Sequence, residues 1–236
     1  MMKICGLQKL TLLDYPGRVA CTVFLGGCNF RCPWCHNGDI AMGQPLEKHS
    51  KADFIDFLGC RRKKLDGVAI TGGEPCLNDD LPEFLDEIKA LGYSVKLDTN
   101  GTRPTMLKFL IENHLVDYVA MDIKNKPSKY SETTGIVYPH FMNIRRSVEL
   151  LKKGLVSYEF RTTVIDEFHR PEDFIVIGEW LQGPSPYYLQ VFVDRPTVPH
   201  AGFHAPSDQK LAECLMTVKK YLPNTSVRGV VLKEGE

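Results

Sequence analysis

Three cysteines stand within eight positions of one short segment. The segment reads GGCNFRCPWCHN over residues 26–37, and its thiols belong to Cys28, Cys32 and Cys35. Thiolates bind zinc and iron–sulfur clusters, and a 4Fe-4S cluster takes one cysteine for each iron. Three cysteines therefore leave one iron open to another ligand. Because an open metal position is typical of reactive sites, the spacing favours a reactive centre over a structural one.

Two other interpretations of the cysteine segment remain at this level. His36 offers a fourth ligand for a structural zinc ion, although adjacent residues such as Cys35 and His36 direct their side chains apart. A redox pair of Cys32 and Cys35 would leave Cys28 unexplained. The remaining cysteines form no CxxC pair and are predicted to be small buried apolar residues; they are Cys5, Cys21, Cys60, Cys76 and Cys214.

Composition limits the possible classes of protein. The chain has 236 residues with 43% hydrophobic content, which predicts a single α/β domain over residues 1–236. Lys plus Arg and Asp plus Glu are balanced at 29 each, so we expect no nucleic-acid partner held by bulk charge. No segment reaches the ~20 apolar residues of a membrane span, so we expect no membrane partner and a cytoplasmic location. In a reducing cytosol clustered cysteines are typically metal ligands or catalytic groups.

Segments of strand type alternate with amphipathic segments along the chain. The strand-type segments are rich in Val, Ile, Tyr and Phe, and they cover residues 19–27, 67–73, 93–101, 117–124, 157–165 and 187–194. Helical periodicity and end signals occupy the stretches between them and after the last one, including a helix that begins at Ser50. This alternation predicts a mostly parallel sheet that is covered by helices.

The number of βα units predicts the architecture. Six units fall short of the eight that close a barrel, so we expect an open partial (β/α)6 barrel. Function gathers at the carboxyl ends of parallel strands. The cysteine segment follows the first predicted strand, and the motifs TGGEP (71–75), LDTNG (97–101) and MDIK (121–124) fall at the ends of the next three.

The cysteine segment resembles the cluster loop of the radical S-adenosylmethionine (SAM) superfamily. The likeness lies in the pattern CxxxCxxC with an aromatic residue, Trp34, before the last cysteine. It implies that Cys28, Cys32 and Cys35 bind a 4Fe-4S cluster and that the amino and carboxylate groups of SAM bind the fourth iron. The longer run CxxxCPWCHN is similar to that of glycyl-radical-enzyme activases, which implies that Trp34 and Asn37 lie near the adenine of SAM.

The other motifs extend the resemblance. TGGEP resembles the GGE motif of the family, which implies that the segment of Gly72, Gly73 and Glu74 contacts SAM and receives its ammonium through the backbone. Taken alone, the glycine pair is also typical of a turn. Together with the cysteine segment, it supports a SAM site.

LDTNG and MDIK resemble the corresponding motifs of pyruvate formate-lyase activating enzymes. The resemblance implies that Asp98, Thr99 and Asp122 surround a monovalent cation beside the SAM carboxylate, with Lys124 near SAM. It also puts Arg161 near the SAM carboxylate and ribose. From the residues alone, a turn aspartate at Asp98, a surface ion pair of Asp122 with Lys124, and an internal ion pair at Arg161 remain alternatives. Gln190 is a candidate to face the same cavity.

The resemblance implies an activity and partners. A reduced cluster would cleave SAM, and the resulting 5′-deoxyadenosyl radical would abstract a glycine Cα hydrogen from a larger glycyl radical enzyme. The N-terminal segment GLQKLTLLDYPGRVACTVFLGGCNFRCPWCHN is most similar to the activating proteins of anaerobic ribonucleoside-triphosphate reductase, and the matching motifs span residues 7 to about 165. An electron donor such as flavodoxin or ferredoxin is implied. The alternatives are an activase of the pyruvate formate-lyase type, a small-molecule radical SAM enzyme such as a deazaguanine synthase, and a metal-binding interaction module without activity.

Overall fold

The computed structural model describes residues 2–44 and 49–230, which form one eight-stranded sheet with helices on it. The strands are β1 Ile4–Thr11, β2 Ala20–Leu25, β3 Gly67–Gly72, β4 Ser94–Thr99, β5 Tyr118–Asp122, β6 Ser157–Val164, β7 Tyr187–Val191 and β8 Thr225–Arg228. The helices are α1 Gly38–Ala41, α2 Lys51–Cys60, α3 Leu81–Ala90, α4 Pro104–Glu112, α5 Tyr130–Thr134, α6 Phe141–Leu151, α7 Asp173–Leu181 and α8 Asp208–Lys219. Short 3-10 turns cover Pro75–Leu77 and Pro127–Lys129.

The order of the strands in the sheet follows their order in the chain. β1 runs antiparallel to β2, and every later neighbour pair is parallel. β1 and β8 form the two edges, so the sheet does not close into a barrel. The six predicted strands are confirmed as β2 to β7, and the open α/β architecture is confirmed with them.

The count of six strands was too low because both edge strands have weak sequence patterns. β1 includes Gly6, Gln8 and Lys9, and its middle is largely exposed on an edge. β8 has only four residues, the shortest length at which a period-two pattern can be recognised. Edge strands are less buried than central strands, so they need fewer apolar residues and give a weaker signal.

The core lies between the sheet and the surrounding helices. In β3, all residues from Gly67 to Ile70 are buried, as expected for a parallel strand that is covered on both faces. α3 packs on the sheet with a buried stripe at helical spacing, formed by Leu81, Phe84, Leu85 and Ile88. The predicted start of α2 is confirmed, because Ser50 and Asp53 form a capping box there.

The cysteine segment is tied to the fold on three sides. It follows β2 directly, and the Gly27 amide donates to the Ile40 carbonyl of α1 at 2.9 Å. The Arg31 amide donates to the Thr134 carbonyl at 2.8 Å, and the His200 amide donates to the Pro33 carbonyl at 3.2 Å. These backbone contacts hold a segment without regular structure over the carboxyl end of the sheet.

Four of the five cysteines outside the segment are buried as predicted, namely Cys5, Cys21, Cys76 and Cys214. The prediction is wrong for Cys60, which is exposed in the last turn of α2, because that helix turns this position toward solvent. None of the helices that the structure describes combines the length and hydropathy of a bilayer span. The single domain over 1–236 stays a prediction, since residues 1, 45–48 and 231–236 lie outside the described part.

Candidate active site

Most of the predicted site residues meet in one cavity of about 220 Å³ at the carboxyl end of the sheet. The strands β3, β4, β5 and β6 each end at this cavity, and the cysteine segment lies over it. The predicted residues that line it are Cys28, Cys32, Trp34, Cys35, Asn37, Gly72, Gly73, Asp98, Thr99, Asp122, Lys124 and Arg161. Glu74 is the one predicted site residue that does not line it.

The three thiols face this cavity together and form no disulfide. Burial raises the pKa of Cys28 to about 11 and that of Cys32 to about 12, and burial also raises the pKa of Cys35. The thiols are therefore protonated at neutral pH in the metal-free chain. Because a metal binds the thiolate, cluster binding must release these protons.

Within the described residues, no three His, Cys, Asp or Glu side chains are arranged to hold a single metal ion. The three cysteine sulfurs need not converge on one point to hold a cluster, because each cysteine binds a different iron. His36, the fourth ligand of the zinc interpretation, has other contacts. Its Nε2 donates to the Val193 carbonyl at 2.7 Å, and its ring stacks on Phe192 with 5.3 Å between centroids.

The glycine pair is required by the packing of β3 against β2. Gly72 has φ +112°, and a Cβ there would lie 2.5 Å from the Leu25 carbonyl oxygen. A Cβ on Gly73 would lie 2.0 Å from the Gly27 carbonyl oxygen. Only glycine lets the backbone approach the cysteine segment this closely. The pair therefore sets the distance between the end of β3 and the proposed cluster loop, in addition to lining the cavity.

The buried Glu74 side chain links the end of β3 to the end of β4 through hydrogen bonds. Its carboxylate accepts hydrogen bonds from the Thr99 hydroxyl at 2.8 Å, the Asn100 amide at 2.6 Å and the Cys76 amide at 3.0 Å. Burial raises its pKa, and these hydrogen bonds oppose the rise. That Glu74 contacts the cofactor stays a prediction; in the structure its carboxylate binds the LDTNG segment, and its neighbours Gly72 and Gly73 line the cavity.

A network of charged side chains forms the cavity floor. Arg161 bridges two carboxylates, with its Nε 2.7 Å from Asp122 and its Nη2 3.1 Å from Asp98. Lys124 pairs with Asp122 at 3.0 Å, and the fully buried Lys96 pairs with Asp98. Burial favours the neutral carboxyl groups, but the neighbouring cations hold the pKa of both aspartates below their usual range.

The residues expected around a monovalent cation belong to this network, and the cation itself stays a prediction. Asp98 and Asp122 are compensated by the guanidinium and ammonium groups, and the Thr99 hydroxyl donates to Glu74. A bridging arginine can hydrogen-bond both of these partly buried carboxylates at once. The three residues therefore meet as the sequence predicted, but with side-chain cations as their partners.

Trp34 and Asn37 lie on the wall of the cavity. The Trp34 ring is buried, its Nε1 donates to the Thr133 carbonyl at 3.0 Å, and the Lys124 ammonium lies 5.0 Å from the centre of the ring. Asn37 donates to the Gly72 carbonyl at 3.1 Å, which joins the cysteine segment to β3. Both side chains are fixed before any ligand binds.

Three side chains at this site were missed in the sequence. Asn100 lines the cavity, and its side-chain nitrogen Nδ2 lies 3.9 Å from the Cys28 sulfur. Thr163 lies next to Gln190 in the β6–β7 register, and both line the cavity, as was expected of Gln190 alone. Lys96 is two residues before Asp98 on the same face of β4. Period-two alternation from Asp98 and from Arg161 would have identified Lys96 and Thr163.

An open parallel sheet whose strand ends and cysteine segment surround one polar cavity defines a cofactor-dependent α/β enzyme. Comparison with known families makes this class specific. The model of the radical SAM superfamily matches residues 22–172. A Methanocaldococcus jannaschii protein that carries the provisional name glycyl-radical enzyme activating enzyme is 32% identical over 96% of this chain and 96% of its own length. The chain belongs to the radical SAM superfamily.

Further relatives differ in coverage. A pyruvate formate-lyase-activating enzyme of Listeria monocytogenes is 26% identical and covers 76% of each chain. A 7-carboxy-7-deazaguanine synthase of Aquifex aeolicus is 37% identical, but over only 33% of this chain and 34% of its own. The structure of Streptococcus suis SuiB bound to SAM has the same fold, with a TM-score of 0.68. The sequence identity is 14%, and the match covers 87% of this chain and 49% of SuiB.

The protein is therefore a radical SAM oxidoreductase whose cofactors are a 4Fe-4S cluster and SAM. The cavity fits these groups in its donor set. It offers three free thiols, and the cations of Lys124 and Arg161 in the same lining suit the carboxylate of SAM. The aromatic Trp34 adds an apolar face to the lining, next to the Lys124 ammonium.

Proposed function

We propose that this protein is an activase that installs a glycyl radical on a partner enzyme. The observation that carries the proposal is the likeness over nearly the full length to the Methanocaldococcus jannaschii protein named for this activity. The deazaguanine synthase relatives match only about a third of the chain, so they support the shared cofactor site more than a shared substrate.

We assign the site as follows. Cys28, Cys32 and Cys35 hold the cluster. The cofactor contacts fall to Trp34, Asn37, Gly72, Gly73, Asp98, Thr99, Asp122, Lys124 and Arg161. When bound, the cluster supplies the electron that cleaves SAM into methionine and a 5′-deoxyadenosyl radical. Lys124 and Arg161 neutralise and orient the SAM carboxylate, while Glu74 keeps Thr99 and Asn100 in place.

The cavity also has room beside it for a peptide. An apolar pocket of about 510 Å³ adjoins it, and both are lined by His36 and Asn37. Its outer walls are Gly6 to Gln8 on the edge strand β1 and residues 195–197. A segment of a partner enzyme that enters here would bring a glycine Cα–H toward the cavity. The 5′-deoxyadenosyl radical that SAM would supply could then take this hydrogen atom, which would give 5′-deoxyadenosine and leave the radical on the glycine.

We propose anaerobic ribonucleoside-triphosphate reductase as the partner, on the likeness of residues 7–37 to the activating proteins of that enzyme. The second candidate is pyruvate formate-lyase, which is supported by the Listeria relative. Neither proposal involves nucleic acid or a membrane.

The test is direct. The chain is reconstituted anaerobically with iron and sulfide, reduced with dithionite, and mixed with SAM and one of the two partner enzymes. We expect a glycyl doublet in the electron paramagnetic resonance spectrum of the reductase. A doublet on pyruvate formate-lyase alone transfers the assignment to that enzyme. Formation of 5′-deoxyadenosine without a doublet on either enzyme contradicts the activase function and favours a small-molecule substrate.

A further inference from the structure

A groove between α4 and α6 concentrates positive charge on a chain with no net charge. Two adjoining pockets of about 490 and 500 Å³ run along it and share Pro104, Thr105 and Arg146. Its lining carries five cations and one carboxylate, Glu149. These five define the basic groove: Arg103, Lys108, Arg145, Arg146 and Lys153.

The cations of the basic groove are available to a partner. All five side chains are exposed. Within residues 2–44 and 49–230, no carboxylate lies at ion-pair distance from Arg145, Arg146 or Lys153. The other two make only long surface pairs, at 3.9 Å from Arg103 to Asp79 and at 3.6 Å from Lys108 to Glu112, and such pairs contribute little. The positive potential is therefore not cancelled locally.

The basic groove is joined to the proposed cluster loop by a hydrogen bond. Thr102 and Asn143 are part of the groove wall, and Asn143 donates to the Thr102 carbonyl at 3.1 Å. The Thr102 hydroxyl accepts from the Asn29 amide group at 2.9 Å. Asn29 is bonded to Cys28 through the peptide link. One hydrogen bond therefore separates the groove wall from the residue next to a proposed cluster ligand.

We propose that the basic groove docks an acidic one-electron carrier protein and that the electron enters the cluster through Thr102, Asn29 and Cys28. The carrier loses one electron and the cluster gains it, with no change in bonds or protons. Charge complementarity selects an acidic partner, and two exposed apolar side chains in the groove lining, Phe109 and Met142, add contact area. The proposal rests on Cys28 as a cluster ligand and is independent of which enzyme is activated.

The first test measures binding and needs no cluster. The metal-free full chain is titrated with oxidised flavodoxin at low and high salt. The double variant Arg145→Glu/Arg146→Glu should bind more weakly, with Kd raised by about tenfold or more at low salt. The difference in Kd from the unmodified chain should shrink as salt screens the charges. The matched control Arg62→Glu/Lys64→Glu makes the same change in net charge in the exposed turn that follows α2. Equal weakening in both variants overturns the proposal.

The second test separates the carrier from the activated enzyme. 5′-Deoxyadenosine formation is measured with reduced flavodoxin and, in parallel, with dithionite. The Arg145→Glu/Arg146→Glu variant should lose most of the flavodoxin-driven rate and keep the dithionite-driven rate. The neutral variant Arg145→Gln/Arg146→Gln should give an intermediate loss, which guards against a folding defect in the reversed variant.

Two outcomes contradict the docking assignment. An unchanged flavodoxin-driven rate shows that the groove is not the route of the electron. A loss of glycyl radical yield with dithionite, at a normal rate of SAM cleavage, shows that the groove binds the activated enzyme instead. Failure of the activase function itself would appear differently, as SAM cleavage without a glycyl radical in the unmodified protein.

Discussion

Arg161 and Asp122 lie opposite each other in the β5–β6 register and are joined by a 2.7 Å ion pair from Nε to the carboxylate. The same guanidinium reaches Asp98 on β4, so one side chain ties three strand ends together at the floor of the cavity. Arg161 thus links three strands and also presents a positive charge toward the cavity, where an anionic ligand could bind.

Replacing Arg161 should destabilise the fold because it leaves two partly buried carboxylates with one cation fewer. We expect Arg161→Gln to lower the free energy of unfolding by about 3 kcal/mol. Urea unfolding of the metal-free chain measures this. Arg161→Lys should restore part of the loss, and Arg62→Gln on the surface should change little. A loss in Arg161→Gln no larger than in the surface variant would show that Lys96 and Lys124 compensate the aspartates alone.

Cys32→Ala should abolish cluster incorporation. The visible absorbance of the reconstituted protein reports the cluster, and three thiolates are needed to hold it. Cys214→Ala and Cys60→Ala are the controls, one buried in the core and one exposed, and both should keep the absorbance. Equal loss in all three variants would refute the ligand assignment.

Gly73→Ala should disturb the cysteine segment without touching a thiol. Its Cβ would lie 2.0 Å from the Gly27 carbonyl oxygen, so the end of β3 and the segment must move apart. We expect a clear loss of iron per chain after reconstitution. Gly59→Ala in α2 meets open space and should be neutral or stabilising by up to about 1 kcal/mol. Full iron loading in Gly73→Ala would show that the close approach is dispensable.

Glu74→Gln should lower stability by about 2 kcal/mol, because the amide places an N–H group against buried donors and one of them loses its acceptor. Thr99 and Asn100 should then lose their fixed positions. Urea unfolding gives the stability, and iron loading gives the effect on the site. The exposed Glu83→Gln on α3 is the control. Stability equal to that of the control would mean that Glu74 is already protonated in the fold.

His169 should make the protein sensitive to acid. It is fully buried, the Lys124 carbonyl accepts from its Nε2 at 3.0 Å, and burial lowers its pKa to about 4. The unfolded chain binds this proton near pH 6.5 and the folded chain only near pH 4. The stability that neutral His169 contributes is thus present above pH 6.5 and is lost as pH falls toward 4, by about 3 kcal/mol.

Urea unfolding of the metal-free chain at several pH values between 7 and 4 tests this slope. His169→Asn should flatten it. The exposed His204→Gln should leave it in place, because Glu167 raises the pKa of His204 and gives it the opposite sign. An unchanged slope in His169→Asn would assign the acid sensitivity to other groups.

The central strands and the residues around the cavity could be read from the sequence because their patterns are local. β2, β3 and β5 are buried along most of their length, so each is a short apolar run, and the polar motifs TGGEP, LDTNG and MDIK follow where β3, β4 and β5 end. Parallel strands bring such ends together at one edge, so neighbouring motifs in the chain become neighbours in space. Three thiols in eight residues likewise carry their own chemistry in their spacing.

The tertiary structure alone decided which partner each polar group has. Glu74 belongs to a motif typical of cofactor contact, yet its carboxylate is bound to Thr99 and Asn100, because β3 and β4 are adjacent and the space between their ends must be filled. Asp98 and Asp122 meet as expected, but around Arg161, which comes from a third strand. Pairings between distant residues depend on register and packing across strands, and the short-range pattern of the sequence does not contain them.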